Sequence, residues 1–251
     1  MEFKDIVDIV MRYGADSQKV LDFISDETNQ RKFNRYLSFQ NGALTAAAPK
    51  ASALITEADR TDKKTKIRIA LDGNRLLTKK EWNAGQYRKD EVVGIAIITP
   101  CVQFVLGLHQ WKKCWSNGRE YHITDRHDGA QALQILSGYE NTKEVNEVQI
   151  YSQNDNAPKL CWDYGYKELQ WYLPCLLELN AVCANKEEIN ELLKLVNGTP
   201  LDFSAHYWSS TEYFAGAAWC VYFHNGGSFT CGTSFAHMAR PVVALEALQL
   251  I

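Results

Sequence analysis

The most informative part of the chain begins with Tyr207-Trp-Ser-Ser-Thr-Glu-Tyr213 and ends with Arg240-Pro-Val-Val-Ala-Leu245. Between Tyr213 and Ala239 there is no Lys, Arg, Asp, Glu or Gln, although 23% of the whole chain is charged. At that rate about six charged residues are expected in a segment of this length. Uncharged segments are usually core, but the many Gly, Ser and Thr residues here would fill a core poorly. The composition therefore indicates a surface used for contact.

Residues 219–224 within this stretch alternate between two sets of side chains. A pleated strand points successive side chains to opposite faces, so one set can face the core and the other a partner. The predicted core set is Trp219, Val221 and Phe223, and the predicted outward set is Cys220, Tyr222 and His224. Asn225-Gly226-Gly227 predicts a hairpin turn. Residues 238–245 predict a final strand, at a sheet edge or bulged at Pro241, because proline cannot donate to a ladder.

Strand signals also occur earlier in the chain. Residues 67–71 form an apolar run that enters a tight turn at 72–74. Residues 92–98 and 102–106 flank Thr99-Pro-Cys101 as a predicted hairpin. Because these runs are apolar on both sides, we expect their strands to be buried.

Helical signals occupy the middle of the domain. Residues 128–136 have helical spacing, with Gly138 as a stop, and residues 176–182 form a second apolar helix. Asn185, with a glutamate three residues later, predicts an N-cap for a helix over 187–196. The pattern of strands at both ends and helices between them predicts an α+β fold.

The first part of the chain differs from the rest. Residues 3–37 have helical spacing and predict two or three short helices, whereas 41–65 are small, polar and charged without a period. We therefore expect a helical N-terminal segment over 1–40, a linker over 41–65 and one compact domain over 66–251. A homo-oligomer could form through residues 3–37, although they are too short and irregular for a long coiled coil.

The overall charge excludes some partners. The formal net charge is −3, the isoelectric point is about 6.1, and no basic stripe is present, so nucleic acid is not an expected partner. Residues 1–10 are interrupted by acidic side chains and lack the apolar run of a signal peptide. No window approaches the roughly 18 apolar residues of a membrane span. We expect neither a signal peptide nor a membrane span.

The chain has seven cysteines, an odd number, and no two of them form a CxxC pair. The sequence therefore predicts neither a zinc knuckle nor a regular disulfide framework, and free, mostly buried thiols are expected. His224 and His237 could ligate a metal with Cys220 or Cys231, but the short spacing typical of such sites is missing. We expect ordinary contact residues at these positions, with no metal and no cofactor.

Motifs in the C-terminal part resemble one known family. They are, in order, Asp90–Pro100, Tyr172-Leu-Pro174, Tyr207–Tyr213, Ala218-Trp219, Asn225-Gly226 and Arg240-Pro-Val242. The chain resembles, over about residues 67 to 245, the variable proteins of diversity-generating retroelements as they occur in gut bacteria and their phages. The resemblance implies a C-type-lectin-like fold.

In that family an error-prone reverse transcriptase randomises adenines of a template. The resulting codons cannot encode Lys, Glu, Gln, Met or Trp, so the missing Lys, Glu and Gln fit this process, and Trp219 and Met238 would be fixed. The resemblance implies a variable region over about 213–239. The implied ligand-binding positions are Phe214, Ala215, Gly216, Ala217, Cys220, Tyr222, His224, Phe229, Thr230, Cys231, Gly232, Ser234, Phe235 and His237. The implied scaffold positions are Trp208, Ser209, Ser210, Trp219, Arg240 and Pro241.

The function implied by the resemblance is a hypervariable ligand- or receptor-binding protein without enzymatic activity, with a role in a phage tail or another display setting. Its partner would be a protein or glycan on a host or target surface, and several copies would add avidity. The expected location is a phage virion, or the cytoplasm before assembly.

Calcium-dependent sugar binding is not expected, because the Glu-Pro-Asn, Gln-Pro-Asp and Trp-Asn-Asp triplets of such lectins are absent. Two alternatives remain. The same broad fold occurs in formylglycine-generating enzymes, which use two nearby cysteines, and Cys220 and Cys231 would have to meet in space for such a role. A structural virion protein would instead bury Tyr222, Phe229 and Phe235 against a neighbouring subunit.

Overall fold

The computed structural model describes residues 65–116, 137–147 and 155–250. The predicted N-terminal helices, the predicted linker as far as residue 64 and the predicted helix over 128–136 lie outside these ranges. The described part is α+β and contains two five-stranded sheets. Strands lie at both of its ends and most of its helices lie between them, as the sequence predicts.

The first sheet is antiparallel throughout. Its strands are β1 (Lys66–Leu71), β2 (Arg75–Leu77), β3 (Val92–Ile98), β4 (Gln103–Leu106) and β10 (Val242–Ala244). Their order across the sheet is β10-β4-β3-β1-β2. The predicted hairpin is confirmed, because β3 pairs with β4 and Thr99 N donates to Val102 O at 2.9 Å in the turn. Every residue of β3 is buried, as expected for a strand that is apolar on both sides.

The second sheet carries the C-terminal stretch. Its strands are β5 (Trp111–Cys114), β6 (His206–Phe214), β7 (Ala217–Tyr222), β8 (Gly227–Gly232) and β9 (Ala236–Ala239). Their order is β5-β9-β6-β7-β8, and the β6–β9 pair is parallel. The predicted hairpin turn joins β7 to β8, where Gly226 N donates to Tyr222 O at 2.9 Å. Gly226 has a φ of 76°, a left-handed conformation that favours glycine.

The prediction of one strand over 238–245 is wrong. β9 pairs in the second sheet and β10 in the first, and Arg240 and Pro241 lie between them. Pro241 O accepts a hydrogen bond from Gly107 N at 2.8 Å, but the ring nitrogen has no hydrogen to donate. The ladder therefore stops at Pro241, and the chain passes from one sheet to the other.

The described helices are α1 (Lys79–Ala84), α2 (Gly138–Glu147), α3 (Ala157–Trp162), α4 (Leu176–Ala184) and α5 (Lys186–Leu195). α4 and α5 confirm the predicted helices over 176–182 and 187–196. Asn185 is the N-cap of α5, as predicted, but its side chain makes no capping bond to that helix. Asn185 Nδ2 instead donates to Ala181 O at 2.8 Å, since α4 ends where α5 begins and the amide completes the last turn of α4.

Gly138 begins α2, and the helix over 128–136 that it was predicted to stop lies outside the described residues. A Cβ atom there would lie 2.6 Å from Glu178 Oε2 and 2.7 Å from Cys175 N. Glycine is needed because α2 approaches the start of α4 closely, and a sequence pattern cannot distinguish this need from a helix end.

The main core lies between the first sheet, α4, α5 and one face of the second sheet. Trp219, Val221 and Phe223 belong to it, which confirms the predicted core set. A smaller core around Trp171 covers the other face of the first sheet. Within the described ranges no helix has the length and apolar character that crossing a membrane requires.

Candidate functional site

The candidate site lies on the face of the second sheet that points away from the main core. Cross-strand pairing places Trp208 beside Cys220, and Cys220 beside Phe229. The same ladder pairs His206 with Tyr222. Because alternate residues of a strand share a face, these five side chains lie on one side of the sheet.

Helices cover one end of this face. α2 contacts β6, and α3 contacts β5 and β9. A third apolar cluster lies at this covered end, with two fully buried tryptophans at its centre. Its buried members are Trp115, Val145, Ala157, Cys161, Leu173, Trp208, Ala218, Cys220 and Ala239.

The other end of the face is open and aromatic, and we call His206, Tyr222, Phe229, Phe235 and His237 the open face. The His206 ring stacks on Tyr222 with 4.4 Å between centroids, and it lies 5.2 Å from the His237 ring. Phe229 meets His206 edge-on at 6.1 Å. Phe229 and Phe235 are 46% and 64% exposed, which is unusual for side chains of this size.

The open face carries no carboxylate, lysine or arginine of its own. Partial burial, and then the neighbouring His237, lower the pKa of His206, so its imidazole is neutral at neutral pH. The surface can therefore offer apolar and aromatic contact together with imidazole hydrogen bonds, at low conformational cost.

The structure places twelve of the fourteen predicted ligand-binding residues where solvent reaches them at least partly. The exposed ones are Phe214, His224, Phe229, Thr230, Ser234 and Phe235. The partly buried ones are Ala215, Gly216, Tyr222, Cys231, Gly232 and His237.

The other two, Ala217 and Cys220, are 7% and 0% exposed. The prediction that Cys220 faces outward with Tyr222 is therefore wrong. The alternation assigns it to the correct side of the sheet, but the third cluster covers that side at Cys220 and leaves it open only near Tyr222.

Gly216 also departs from the prediction of a freely exchangeable position. Its φ is 80°, and its carbonyl oxygen accepts a hydrogen bond from Thr233 N at 2.9 Å. L-amino acids with a side chain rarely adopt this conformation, although asparagine tolerates it better than most. The backbone conformation therefore limits which residue types can occupy position 216.

The predicted scaffold residues are all buried: Trp208, Ser209, Ser210, Trp219, Arg240 and Pro241. Trp208 Nε1 donates to Lys113 O at 3.0 Å, and Ser209 Oγ donates to Trp219 O at 2.8 Å. These bonds tie β6 to β5 and β7, so they hold the strands that carry the open face.

Arg240 connects two loops by hydrogen bonds. Its Nε donates to Gly107 O at 2.7 Å, and its Nη1 donates to Thr199 O at 2.7 Å and Gln110 Oε1 at 3.1 Å. Burial lowers the pKa of Arg240 to about 10, which still leaves the guanidinium charged at neutral pH.

Two cysteines that are eleven residues apart in the sequence meet beside the open face. The Sγ atoms of Cys220 and Cys231 are 2.7 Å apart and both residues are free cysteines. One ligand atom each from Cys220, Cys231 and His237 lies within 4.8 Å of the others. The hydrogen bond with Cys220, reinforced by His237, lowers the pKa of Cys231 to about 5, whereas the same pairing raises the pKa of Cys220.

Sequence reasoning missed His206 and the pocket beside it. The pocket has a volume of about 290 Å³, and its lining residues are Lys112, Asp202, Ser204, Ala205, His206, Ala236, His237 and Met238. The alternation of side chains along a strand could have identified His206 as a site residue, because it precedes Trp208 by two residues and so shares its face. The pocket could not, since its walls come from distant parts of the chain.

No protein-family model matches the chain, and no curated protein sequence matches it significantly. Among solved structures, a fimbrial protein from Bacteroides ovatus ATCC 8483 is similar, with a TM-score of 0.55 and 14% sequence identity. The similarity covers 70% of this chain and 48% of that protein, so this chain corresponds to about half of its length. At this identity the likeness concerns the fold alone.

Proposed function

We propose that this chain is a hypervariable ligand-binding protein of the kind diversified by a retroelement, built on a C-type-lectin-like domain and used in a display setting. Its open face and the neighbouring loops bind a protein or glycan on a target surface. The proposed variable positions are the solvent-accessible members of the predicted set, and the framework around Trp208, Trp219 and Arg240 stays constant.

One observation carries this proposal. The large hydrophobic side chains that are exposed in the described residues are Tyr139, Phe214, Phe229 and Phe235. Three of these four lie within the uncharged stretch between Tyr213 and Ala239, which is the region that the resemblance implies to be variable. Exposed aromatic area without charge is typical of binding surfaces.

The division of the stretch into two environments supports the same proposal. The side chains on the inner face of β7 are in the main core, whereas β8 exposes Phe229 and Thr230. Exchange of exposed residues costs little stability, generally within about 0.5 kcal/mol. A binding surface can then be altered without loss of the fold.

The display setting has independent but coarser support. The similar solved structure is described as a fimbrial protein, and its fold is shared at low identity. We therefore extend the proposed setting from a phage tail to any surface appendage that presents the domain to a target.

The proposal is tested by the DNA around the gene. We expect a near-identical repeat of the codons for Tyr213 to Ala239, with adenines at the variable codons, close to a reverse transcriptase gene. Flanking DNA that contains neither element in any strain carrying the gene would contradict diversification.

A second candidate function is favoured by the cysteine pair. An enzyme related to formylglycine generators needs two cysteines close together, and Cys220 and Cys231 meet this condition. The test is oxidation of a cysteine-containing peptide to the aldehyde in air with a thiol reductant, followed by mass spectrometry. Aldehyde that forms with the natural protein and is lost in Cys231→Ser would support the enzyme, and unchanged peptide would exclude it.

A further inference from the structure

Cys220, Cys231 and His237 come from three different strands, β7, β8 and β9. Their ligand atoms lie within 4.8 Å of one another, a distance that one metal ion can span. The fold assembles this cluster, and the spacing of the three residues along the chain gives no sign of it.

The donor set selects the kind of ion. Two thiolates and one imidazole, without a carboxylate, suit zinc and disfavour magnesium or calcium. His237 Nε2 is buried and has no hydrogen-bond partner in the described residues, so this nitrogen is not committed to another group. A buried nitrogen of this kind requires a partner, which a metal ion can provide.

Metal binding requires the two sulfur atoms to move apart. Two zinc–sulfur bonds of about 2.3 Å at a tetrahedral angle place the sulfurs about 3.8 Å apart, whereas Cys220 Sγ and Cys231 Sγ are 2.7 Å apart. Cys220 is held in the third cluster, but Cys231 is only partly buried and lies on the edge strand β8. A rotation of the Cys231 side chain can open the required gap of about 1 Å.

We propose that Cys220, Cys231 and His237 bind one zinc ion at the border between the covered and the open end of the sheet face. Binding releases the thiol protons to solvent as the two sulfurs bind the metal. Three protein ligands leave a fourth tetrahedral position for water or for a donor atom of a bound ligand. Because Cys231 and His237 are among the proposed variable positions, the site belongs to this variant, and its metal titration has a result that does not depend on diversification.

The position of the site determines how metal binding would affect the sheet. His237 also lines the pocket of about 290 Å³ and packs against Trp208, with 4.6 Å between ring centroids. Zinc would therefore fix β8 and the His237 ring against the framework. The open face would be more rigid with metal than without it.

The experiment uses the full chain, reduced, freed of metal with a chelator and then titrated with Co²⁺ as a spectroscopic probe and with Zn²⁺ in competition. We expect one metal per chain, thiolate-to-cobalt charge-transfer absorption, and its loss when Zn²⁺ is added. Cys231→Ser and His237→Ala should weaken metal affinity by at least about 100-fold, more than loss of an outer-shell partner costs. Cys101→Ser is the matched control and should bind normally, because Cys101 lies in the β3–β4 turn.

Both test variants change partly buried positions, and their circular dichroism and thermal unfolding show whether they remain folded. Loss of binding in folded variants, with the control unaffected, supports the site. Failure of the reduced natural protein to bind a stoichiometric metal ion would overturn it. Binding that survives in both variants, or a Cys220–Cys231 disulfide that forms in air and cannot be prevented by Zn²⁺, would overturn it as well.

Discussion

At the scale of single residues, Arg240 carries the framework because one guanidinium satisfies acceptors from two separate loops. It donates to Gly107 O and Thr199 O, each at 2.7 Å, in a position that is 1% exposed. Lysine cannot reproduce this planar arrangement of donors, so an exchange would leave buried carbonyl groups without partners.

We therefore expect Arg240→Lys to lower the free energy of unfolding by about 3 kcal/mol, since several buried hydrogen bonds to a charged group are lost. Arg88→Lys is the control, because the Arg88 side chain is 72% exposed and its ion pairs are on the surface. The control should change stability by less than about 0.5 kcal/mol. Urea unfolding of both variants measures this, and equal losses would contradict a special role for Arg240.

Glu178 is the second residue whose substitution should have a measurable effect on stability. Its Oε1 accepts from Tyr172 Oη at 2.9 Å and its Oε2 accepts from Cys175 N at 2.8 Å. Burial raises the pKa of Glu178 to about 7 from an ordinary value of 4.5, despite these hydrogen bonds. The folded protein therefore holds a proton that the unfolded chain has lost between these two pH values.

Because the folded state binds more protons in this window, its stability falls as the pH rises from about 4.5 to about 7. The loss is on the order of a few kcal/mol and does not occur in Glu178→Gln, which cannot titrate. The free energy of unfolding should therefore be measured for both proteins at about pH 5 and about pH 8. Relative to the natural protein, Glu178→Gln should be more stable at about pH 8 than at about pH 5. Glu188→Gln, at an exposed position, should follow the natural protein, and parallel behaviour of Glu178→Gln would contradict the assignment.

At the scale of elements, the β7–β8 hairpin and the segment that follows it combine two kinds of phenylalanine. Phe223 is fully buried in the main core and stacks on Tyr207 with 4.1 Å between centroids. Phe235 is 64% exposed on the open face. A change of phenylalanine to alanine at each of the two positions therefore distinguishes the buried framework from the proposed contact surface.

Phe223→Ala should destabilise the protein by roughly 3 to 5 kcal/mol, because it removes a buried ring and leaves a cavity. Phe235→Ala should change stability by less than about 0.5 kcal/mol. Thermal or urea unfolding of the two variants gives the comparison. A large loss with Phe235→Ala would mean that its ring supports the fold, and the proposed contact role would then be wrong.

The elements also show which parts of the structure could be predicted from the sequence. The alternation of side chains along the strand correctly places Trp219 and Val221 on the core face, and the turn residues correctly locate the β7–β8 hairpin. The covered end of the outer face could not be predicted, because α2 and α3 that cover it are remote in sequence. For the same reason Cys220 was expected to be exposed.

One further error and one unpredicted contact both depend on long-range packing. Arg240 and Pro241 interrupt what looks like one strand, and apolar pattern alone cannot show that its two halves belong to different sheets. Gly138 permits close packing of α2 against Glu178, a contact that the sequence pattern does not indicate. Long-range packing decided each case.

At the scale of the whole molecule, the domain separates its main core from the proposed contact surface. The main core joins the first sheet, α4, α5 and the inner face of the second sheet, and the open face lies on the opposite side of that second sheet. Changes on the open face therefore do not reach the main core directly. This arrangement is what a binding protein with exchangeable contact residues requires.

The group formed by Cys220, Cys231 and His237 could not be predicted from the sequence alone. Cys231 and His237 follow Cys220 by eleven and seventeen positions, which is not a recognisable ligand spacing. Pairing of β7 with β8 and the placement of β9 beside β6 bring them together. Only the three-dimensional arrangement identifies them as a group.

The most direct test of the central claim is to sequence this gene from many members of one population. We predict that substitutions concentrate at exposed positions such as Phe214, Phe229, Thr230 and Phe235, while Trp208, Trp219 and Arg240 stay constant. Ala217 and Cys220 should accept only small residues, and Gly216 only glycine or asparagine. Uniform copies, or substitutions spread equally over framework and surface, would contradict the account.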